Sequence, residues 1–239
     1  RHYAPSSATI IVVGDAEPAE AMGLIQRYYG HLQAREKSQE RPLDVPLRDV
    51  ETRVELPLPI TSEMGIYAWP AYGITHPNHA PLEVLDEILT GGVSSRLYHA
   101  LVVDEEIATQ VGGWIPSWRY PGLYELSVTV RPGVSIMEAE TRIDAILDAM
   151  CADGPTEREL QKASACLEAD LLRRLSDTNN RARELGEAAV SAGDFRWALG
   201  RAETLQRVTI EDIQRVARDL FQPGRRTVVI GRPENGDVS

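Results

Sequence analysis

Residues 82–98 read LEVLDEILTGGVSSRLY, and this stretch predicts two helices joined by a tight turn. Leucine and isoleucine recur in its first half at the spacing of an amphipathic helix, which buries one face against a core. The pair Gly91-Gly92 ends that helix, because glycine adopts the backbone conformation of a helix C-terminus without steric strain. Ser94 or Ser95 then begins a short second helix, which carries Leu97 and Leu101.

Strands are predicted on both sides of these helices. Residues 51–56 alternate charged and apolar side chains, which is typical of a strand with one face in water, and residues 64–69 form a second strand. Residues 107–114 and 124–130 give two further strands after the helices. The order up to this point is strand, strand, helix, helix, strand, strand.

The remaining sequence is mostly helical. Two helices are predicted at 135–151 and 156–192, the second with a weak point at Asn179-Asn180. Each begins with a capping box, in which a Ser or Thr hydroxyl and a Glu carboxylate three residues later satisfy each other's backbone N–H groups. The capping pairs are Ser135 with Glu138 and Thr156 with Glu159.

A last helix, capped by Thr209, precedes a final strand at 227–230. The apolar faces of the helices need a surface to cover, and the half-buried strands offer one. The predicted fold class is therefore α+β, with a mixed or antiparallel sheet and helices packed on one face.

The two ends of the chain resemble each other. Residues 3–12 align without gaps on residues 221–230, with an aromatic residue, a proline, a threonine and an aliphatic triplet in register. Residues 9–13 are β-branched and apolar, which predicts a buried strand, and Asp15 then caps a helix that Gly30 ends. If the match reflects a true repeat, the chain opens with the last elements of one α+β unit and closes with the last strand of a second.

The repeat divides the chain into three segments. Residues 1–30 are predicted to be the last strand and helix of a preceding homologous unit, and residues 31–50 to be a polar, proline-punctuated linker. Residues 51–235 are the second homologous unit. The chain begins at Arg1 rather than Met, which is what a start inside a larger protein would give.

The charge of the chain limits its partners. Its net charge is −11 at pH 7, which argues against nucleic acid or an anionic membrane surface as the main partner and is compatible with a basic peptide. No apolar run approaches the roughly 18 residues that a membrane span needs. Cys151 and Cys166 both fall in predicted helices, and form neither a disulfide framework nor a metal knuckle.

One histidine cluster is a candidate metal site. His76 and His79, followed by Glu83, offer zinc-binding side chains. Pro77 forces an extended turn between the histidines, and the motifs H-E-x-x-H and H-x-x-E-H are absent, so a solvated loop before a helix is favoured. The Gly-Gly turn could hold an anion at the next helix start, but a tight helix-to-helix turn is favoured there too. The residues by themselves give no catalytic set and no metal ligands.

Four segments together resemble a known family. They are residues 3–15, 82–98, 101–112 and 155–160. In this order they are similar to the inverted-motif zinc metallopeptidases, the insulinase, pitrilysin and mitochondrial-processing-peptidase group, in its bacterial branch. The resemblance implies two homologous α+β units per chain, of which the first carries zinc through H-x-x-E-H and a later glutamate and the second has the same fold without metal. It places this sequence at the end of the first unit, the linker and the whole second unit.

The resemblance also implies where a substrate would bind. The family's second unit usually supplies an arginine and a tyrosine, seven residues apart, that hold the substrate backbone and stabilise the charge of the tetrahedral intermediate. Val102 and Thr109 stand at these positions, so both groups are lost here. The strand that follows is expected nearest to the substrate, which makes Gln110 and Trp114 further candidate substrate-binding residues. Residues 82–86 replace the first unit's zinc motif with LEVLD, so no metal is expected in this chain.

Three functions stay open at this point. In the first, the chain is the non-catalytic half of a zinc-dependent metalloendopeptidase and forms one wall of its peptide-binding chamber. Its partners are then a peptide substrate, an N-terminal unit of the same chain that holds the zinc, and, where two chains work together, a homologous subunit that supplies the arginine–tyrosine pair. In the second, the protein is an inactive structural subunit of the same family, and in the third an unrelated α+β binding module. This chain alone is expected to cleave no peptide, and its compartment is left open between bacterial cytoplasm and periplasm.

Overall fold

The fold is that of a computed structural model, which describes residues 4–33 and 49–234. Most of the predicted linker, together with residues 1–3 and residue 235, lies outside the described residues. The chain divides into two compact units. The larger unit comprises residues 47–169 and 202–239, and the smaller comprises residues 1–46 and 170–201.

The larger unit is built on a sheet whose described strands number five. They are β1 (Thr52–Leu58), β2 (Met64–Pro70), β3 (Ala108–Trp114), β4 (Leu123–Val130) and β5 (Thr227–Pro233). Their order across the sheet is β1-β5-β2-β4-β3. The β1–β5 pair is parallel and the other three pairs are antiparallel, so the sheet is mixed. All five lie where the sequence predicts strands, and β1 and β3 form the two edges.

The described α-helices follow the sequence pattern with two differences. They are α1 (Pro18–Tyr29), α2 (His79–Thr90), α3 (Arg96–Tyr98), α4 (Ile136–Asp153), α5 (Glu157–Ser176), α6 (Thr178–Glu187), α7 (Arg196–Gln206) and α8 (Ile210–Leu220). The single helix predicted over 156–192 is wrong, because Asp177 caps a new helix there: its side chain accepts a hydrogen bond of 2.8 Å from the Asn180 N–H. The helix α7 has no counterpart in the predictions.

One face of the sheet carries the core. Along β4 the residues Tyr124, Leu126, Val128 and Val130 are buried, and they alternate with half-buried or exposed neighbours. The helix α4 packs on β4 and α2 packs on β3, and α8 packs on both helices. The buried side chains of these helices and of the sheet form one apolar cluster. The predicted α+β class, with helices on one face of a mixed sheet, is confirmed.

The helix caps are formed largely as predicted. Thr156 and Glu159 make a reciprocal box, with the Thr156 N–H 2.8 Å from a Glu159 oxygen and the Glu159 N–H 3.3 Å from the Thr156 hydroxyl. Thr209 makes a second box with Asp212. At the start of α4 the predicted partner is wrong, because the Ser135 hydroxyl accepts a hydrogen bond from the Met137 N–H.

In the smaller unit, the strand predicted at residues 9–13 is absent. Residues 9–13 do not form a buried strand: Ile10 and Val12 are exposed, and within the described ranges no strand pairs with this segment. A β-strand needs a neighbour for its backbone hydrogen bonds, so apolar, β-branched composition alone does not produce one. The following helix begins at Pro18, which is favoured in the first helical turn, and not at Asp15.

None of the described helices is both long enough and apolar enough to cross a lipid bilayer.

Candidate functional site

The strand β3 is the element to which the candidate site residues belong. Among the described residues it pairs only with β4, so its other side is an open sheet edge. The pairing register shifts between Ala108 and Gln110, and Thr109 occupies this bulge. The Thr109 hydroxyl is exposed and donates a hydrogen bond of 3.2 Å to the Thr129 carbonyl. An open edge presents backbone N–H and C=O groups that another extended chain can pair with.

Three of the four predicted site residues lie on this strand. Gln110 and Trp114 are exposed and, being four residues apart in a strand, project from the same face, opposite the buried Val111. The Trp114 side chain is 45% exposed and its ring meets that of Trp118 edge-on, with centroids 5.6 Å apart. Both rings therefore offer apolar surface to solvent at the end of β3.

The fourth predicted residue, Val102, is not on β3. It lies in the π-helical turn His99–Asp104 that continues α3, and its half-buried side chain packs against the core cluster. In this position the side chain serves packing, and its methyl groups offer no hydrogen bond. The structure thus brings Thr109, Gln110 and Trp114 together on one strand and leaves Val102 outside it.

The turn before β3 is strained and acidic. Glu106 has φ +51°, in the left-handed region that side chains other than glycine adopt at a cost. Each acidic residue of this turn has a basic partner at its surface. The pairs are Asp104 with His99 at 2.9 Å, Glu105 with Arg142 at 2.5 Å and Glu106 with Arg131 at 3.5 Å.

The helix α2 occupies the place at which the resemblance puts a zinc motif, and its side chains there are mostly apolar. Leu82 and Leu85 are completely buried. Asp86 accepts hydrogen bonds from two hydroxyls, that of Thr90 at 2.9 Å and that of Tyr124 at 3.0 Å. Burial raises the pKa of the Asp86 carboxyl, and these two hydrogen bonds oppose that rise. Across the described residues no group of three or more His, Cys, Asp or Glu side chains could hold a metal ion.

The histidine cluster before α2 has structural contacts. The buried His79 has its Nδ1 3.4 Å from the Tyr72 carbonyl and its Nε2 3.4 Å from a Glu83 oxygen. His76 accepts a hydrogen bond of 3.1 Å from the Asn78 N–H and stacks on the Tyr72 ring at 4.6 Å. His76 is exposed in the loop, as predicted, but His79 is buried as the first residue of α2, so the prediction of a solvated loop is wrong for His79.

The Gly-Gly turn is closed by its own hydrogen bonds. Gly92 has φ +80°, a conformation that favours glycine. Ser95 precedes the first residue of α3, but its hydroxyl donates a hydrogen bond of 2.7 Å to the Gly92 carbonyl instead of accepting one from the helix. The short helix begins directly after Ser95, as predicted, and a tight turn precedes it.

Arg96 has a role in this turn that no sequence pattern indicates. Its guanidinium donates hydrogen bonds of 2.6 and 2.8 Å to the two oxygens of Glu159, and one of 3.1 Å to the Gly154 carbonyl. The Arg96 side chain lowers the pKa of the Glu159 carboxyl to about 2, with help from hydrogen bonds of Thr156. The turn and the start of α5 are thus tied together.

Comparisons with known proteins identify the family to which this α+β fold belongs. The sequence model of the peptidase M16 inactive domain matches residues 1–167, which is more than half of the chain. The chain therefore belongs to the peptidase M16 inactive domain family, and the predicted resemblance is confirmed.

Curated relatives extend the likeness to nearly the whole chain. A protein of Mycobacterium leprae, named as an uncharacterized zinc protease, is 23% identical over 246 residues, which cover 97% of this chain and 52% of that protein. A Bacillus subtilis protein of the same description is 24% identical over 151 residues, covering 62% of this chain and 36% of the relative. The chain thus spans about half the length of the first of these relatives.

Solved structures share the fold. A protease from Helicobacter pylori superposes with a TM-score of 0.84 at 19% identity, covering 92% of this chain and 54% of that one. A structure from Bordetella parapertussis described as an inactive peptidase domain gives a TM-score of 0.66 at 22% identity, covering 74% of this chain and 94% of that one. At these identities the likeness establishes the fold.

Proposed function

We propose that this chain is the metal-free half of a zinc peptidase and that its sheet forms one wall of the chamber in which a peptide binds. The observation that carries the proposal is the position of β3, an edge strand with exposed polar and aromatic side chains. Membership of the peptidase M16 inactive domain family supports the non-catalytic role, and relatives named zinc proteases support the activity proposed for the whole protein. The same membership sets aside an unrelated binding module.

The peptide is proposed to add to the sheet as an extended strand along β3. Backbone groups of an open sheet edge supply hydrogen bonds to any extended sequence, and side chains next to the edge supply selectivity. Gln110 and Trp114 project from one face of β3, so they contact alternate side chains of the added strand. The net charge of −11 favours basic peptides over acidic ones.

Zinc is proposed to be held by an N-terminal unit of the same polypeptide. The chain covers about half of a relative named a zinc protease, and α2 offers Leu82 and Leu85 where the first unit's motif places a histidine and a glutamate. Residues 1–30 are proposed to complete that preceding unit. The exposed apolar side chains of Ile10 and Val12 support this, because a neighbouring strand would bury them.

A second candidate function is an inactive structural subunit, and the residues at positions 102 and 109 favour it. Val102 and Thr109 replace an arginine and a tyrosine that the family uses on the substrate. An active protein would need that pair from a second homologous subunit. Peptide cleavage by the full-length protein mixed with such a subunit, and by neither alone, would support the first function. Failure of the full-length protein to bind zinc, together with no cleavage in any mixture, would support the second.

The proposed wall is tested by side-chain truncation on β3 in the active full-length enzyme or complex. Trp114→Ala and Gln110→Ala are compared for KM and kcat with a basic ten-residue peptide. The matched control is Phe195→Ala, which removes an aromatic side chain of similar exposure, 46%, from the smaller unit. We expect KM to rise about tenfold for Trp114→Ala with kcat nearly unchanged, because the contact is made equally in the ground and transition states.

Equal kinetic constants for both β3 variants and the control would contradict the proposed role of this strand. A loss of kcat without a change in KM would contradict it as well, because it would place the two side chains at the reacting bond.

A further inference from the structure

The residue Asp86 lies directly beneath the strand to which we assign peptide binding. A Cβ atom built on Gly113 of β3 would come within 1.7 Å of the Asp86 Oδ1 atom and 2.9 Å of the Thr90 hydroxyl oxygen. Only a glycine at this position permits so close an approach of strand and helix. The backbone of β3 therefore rests on the Asp86–Thr90 pair of α2.

The same carboxylate connects two further elements. Its Oδ1 atom accepts the hydroxyl of Tyr124, a completely buried residue of β4, and the hydroxyl of Thr90 one turn later on α2. The Asp86 side chain thus connects α2 to β4 by a hydrogen bond and also contacts the backbone of β3 at Gly113. The strand β3 has a single described neighbour in the sheet, so its position depends on the helix beneath it more than that of an inner strand does.

A carboxylate is a costly side chain for this place. The neighbouring α2 residues Leu82, Leu85 and Leu89 are fully buried, and a leucine would suit an apolar helix face equally well. No arginine, lysine or histidine among the described residues forms an ion pair with Asp86. Its contribution lies in accepting two hydroxyl groups in fixed directions, which an apolar side chain cannot do.

We propose that Asp86 is a positioning residue, which through Tyr124 and Gly113 fixes where β3 lies at the sheet edge and so prepares this strand for an added peptide. This inference rests on the proposed function of β3. Positioning of the strand itself, however, can be measured without any peptide.

The experiment compares Asp86→Ala, Asp86→Asn and Tyr124→Phe in the full-length protein. Amide hydrogen exchange reports the local opening of β3 relative to β5, and fluorescence anisotropy reports the affinity for a fluorescein-labelled basic ten-residue peptide. We expect Asp86→Ala to speed exchange in β3 about tenfold more than in β5 and to weaken the peptide about tenfold, a change of about 1.4 kcal/mol. Asp86→Asn keeps an oxygen for both hydroxyls and should stay within about twofold of the wild type.

The control is Ile213→Val, a general core destabilisation on α8, which packs on α2 and α4. It should speed exchange in β3 and β5 alike. Should Asp86→Ala fail to fold, Tyr124→Phe removes one hydroxyl and keeps the ring, and it should loosen β3 in the same direction by about threefold.

The outcomes separate this inference from the proposed function. Uniform acceleration in Asp86→Ala or Tyr124→Phe, as in the control, overturns the positioning role, and so does an Asp86→Asn variant that behaves like Asp86→Ala. A wild-type protein that binds no peptide, while Asp86→Ala still loosens β3 selectively, overturns the proposed function and leaves the positioning of the strand supported.

Discussion

Arg96 and Glu159 form a two-pronged ion pair across 63 residues of sequence, with donor–acceptor distances of 2.6 and 2.8 Å. Their side chains are 24% and 28% exposed, so the pair is more shielded than a typical surface salt bridge. Glu159 also completes the capping box of α5 with Thr156. One carboxylate therefore holds both the Gly-Gly turn and the start of a helix.

Removing this carboxylate should destabilise the protein. We expect Glu159→Gln to lower the free energy of unfolding by about 1–2 kcal/mol at pH 7, because a charge-assisted, two-pronged bond is lost. The measurement is urea unfolding. The matched control is Glu203→Gln, which breaks an exposed ion pair with Arg207 and should change stability by less than about 0.5 kcal/mol.

The same pair predicts a pH dependence. The pKa of Glu159 is lowered from 4.5 to about 2, mainly by the Arg96 hydrogen bonds. The stabilisation is therefore complete above the unfolded-state value of 4.5 and is lost as the pH falls towards 2. The stability difference between wild type and Glu159→Gln should shrink over that interval, and a difference that stays constant down to pH 2.5 would refute the assignment.

The half-buried Asp86 should change stability with pH in the opposite direction. Burial raises the pKa of its carboxyl above the usual value of 3.8, so its ionisation disfavours the folded state as the pH rises through the folded-state pKa. The stability of Asp86→Asn relative to the wild type should therefore be greater at pH 7 than at pH 3. Thermal unfolding at pH 7 and at pH 3 measures the stability difference between Asp86→Asn and the wild type. A difference that shifts in favour of the wild type between pH 3 and pH 7 would disprove this prediction.

The strained residue before β3 offers a stabilising substitution. Glu106 has φ +51°, whereas its neighbour Glu105 has φ −95°. Glu106→Gly should raise stability by about 0.5–1 kcal/mol, because relief of left-handed strain exceeds the entropy cost of glycine. Glu105→Gly, as the control, should lower stability or leave it unchanged. Equal effects of the two substitutions would show that the backbone strain is not the cause.

The other edge strand of the sheet, β1, is attached to α4 by an ion pair. Glu140 on α4, with its side chain 6% exposed, accepts hydrogen bonds from Arg53 of β1 at 3.0 Å and from Arg226 at 3.1 Å. Glu140→Ala should cost about 2–4 kcal/mol, since it leaves the Arg226 guanidinium, whose side chain is 11% exposed, with fewer partners. Glu55→Ala, which breaks an exposed pair with Arg232, should cost much less. Comparable losses in the two variants would contradict the importance of burial.

The elements predicted correctly are those whose sequence pattern lies within the element itself. The helix α2 and all five strands carry their own apolar periodicity, and Thr156 and Thr209 carry their own capping partners within three residues. The segment 9–13 shows the limit, because its composition is that of a strand but strand formation depends on a partner elsewhere.

The candidate site was only partly predictable for the same reason. The residues of β3 could be singled out, but its place at the sheet edge depends on strand order, which joins β3 to β4 and β4 to β2. The support of Gly113 by Asp86 and the pairing of Arg96 with a residue 63 positions away depend on tertiary packing. No local pattern contains these contacts.

Peptide binding at β3 is tested most directly by hydrogen exchange of the full-length protein with and without a basic ten-residue peptide, followed strand by strand. Bound peptide should slow the exchange of amides in β3 and leave the opposite edge strand, β1, unchanged. Protection confined to β1, or binding of the peptide with no protection in β3, would contradict it.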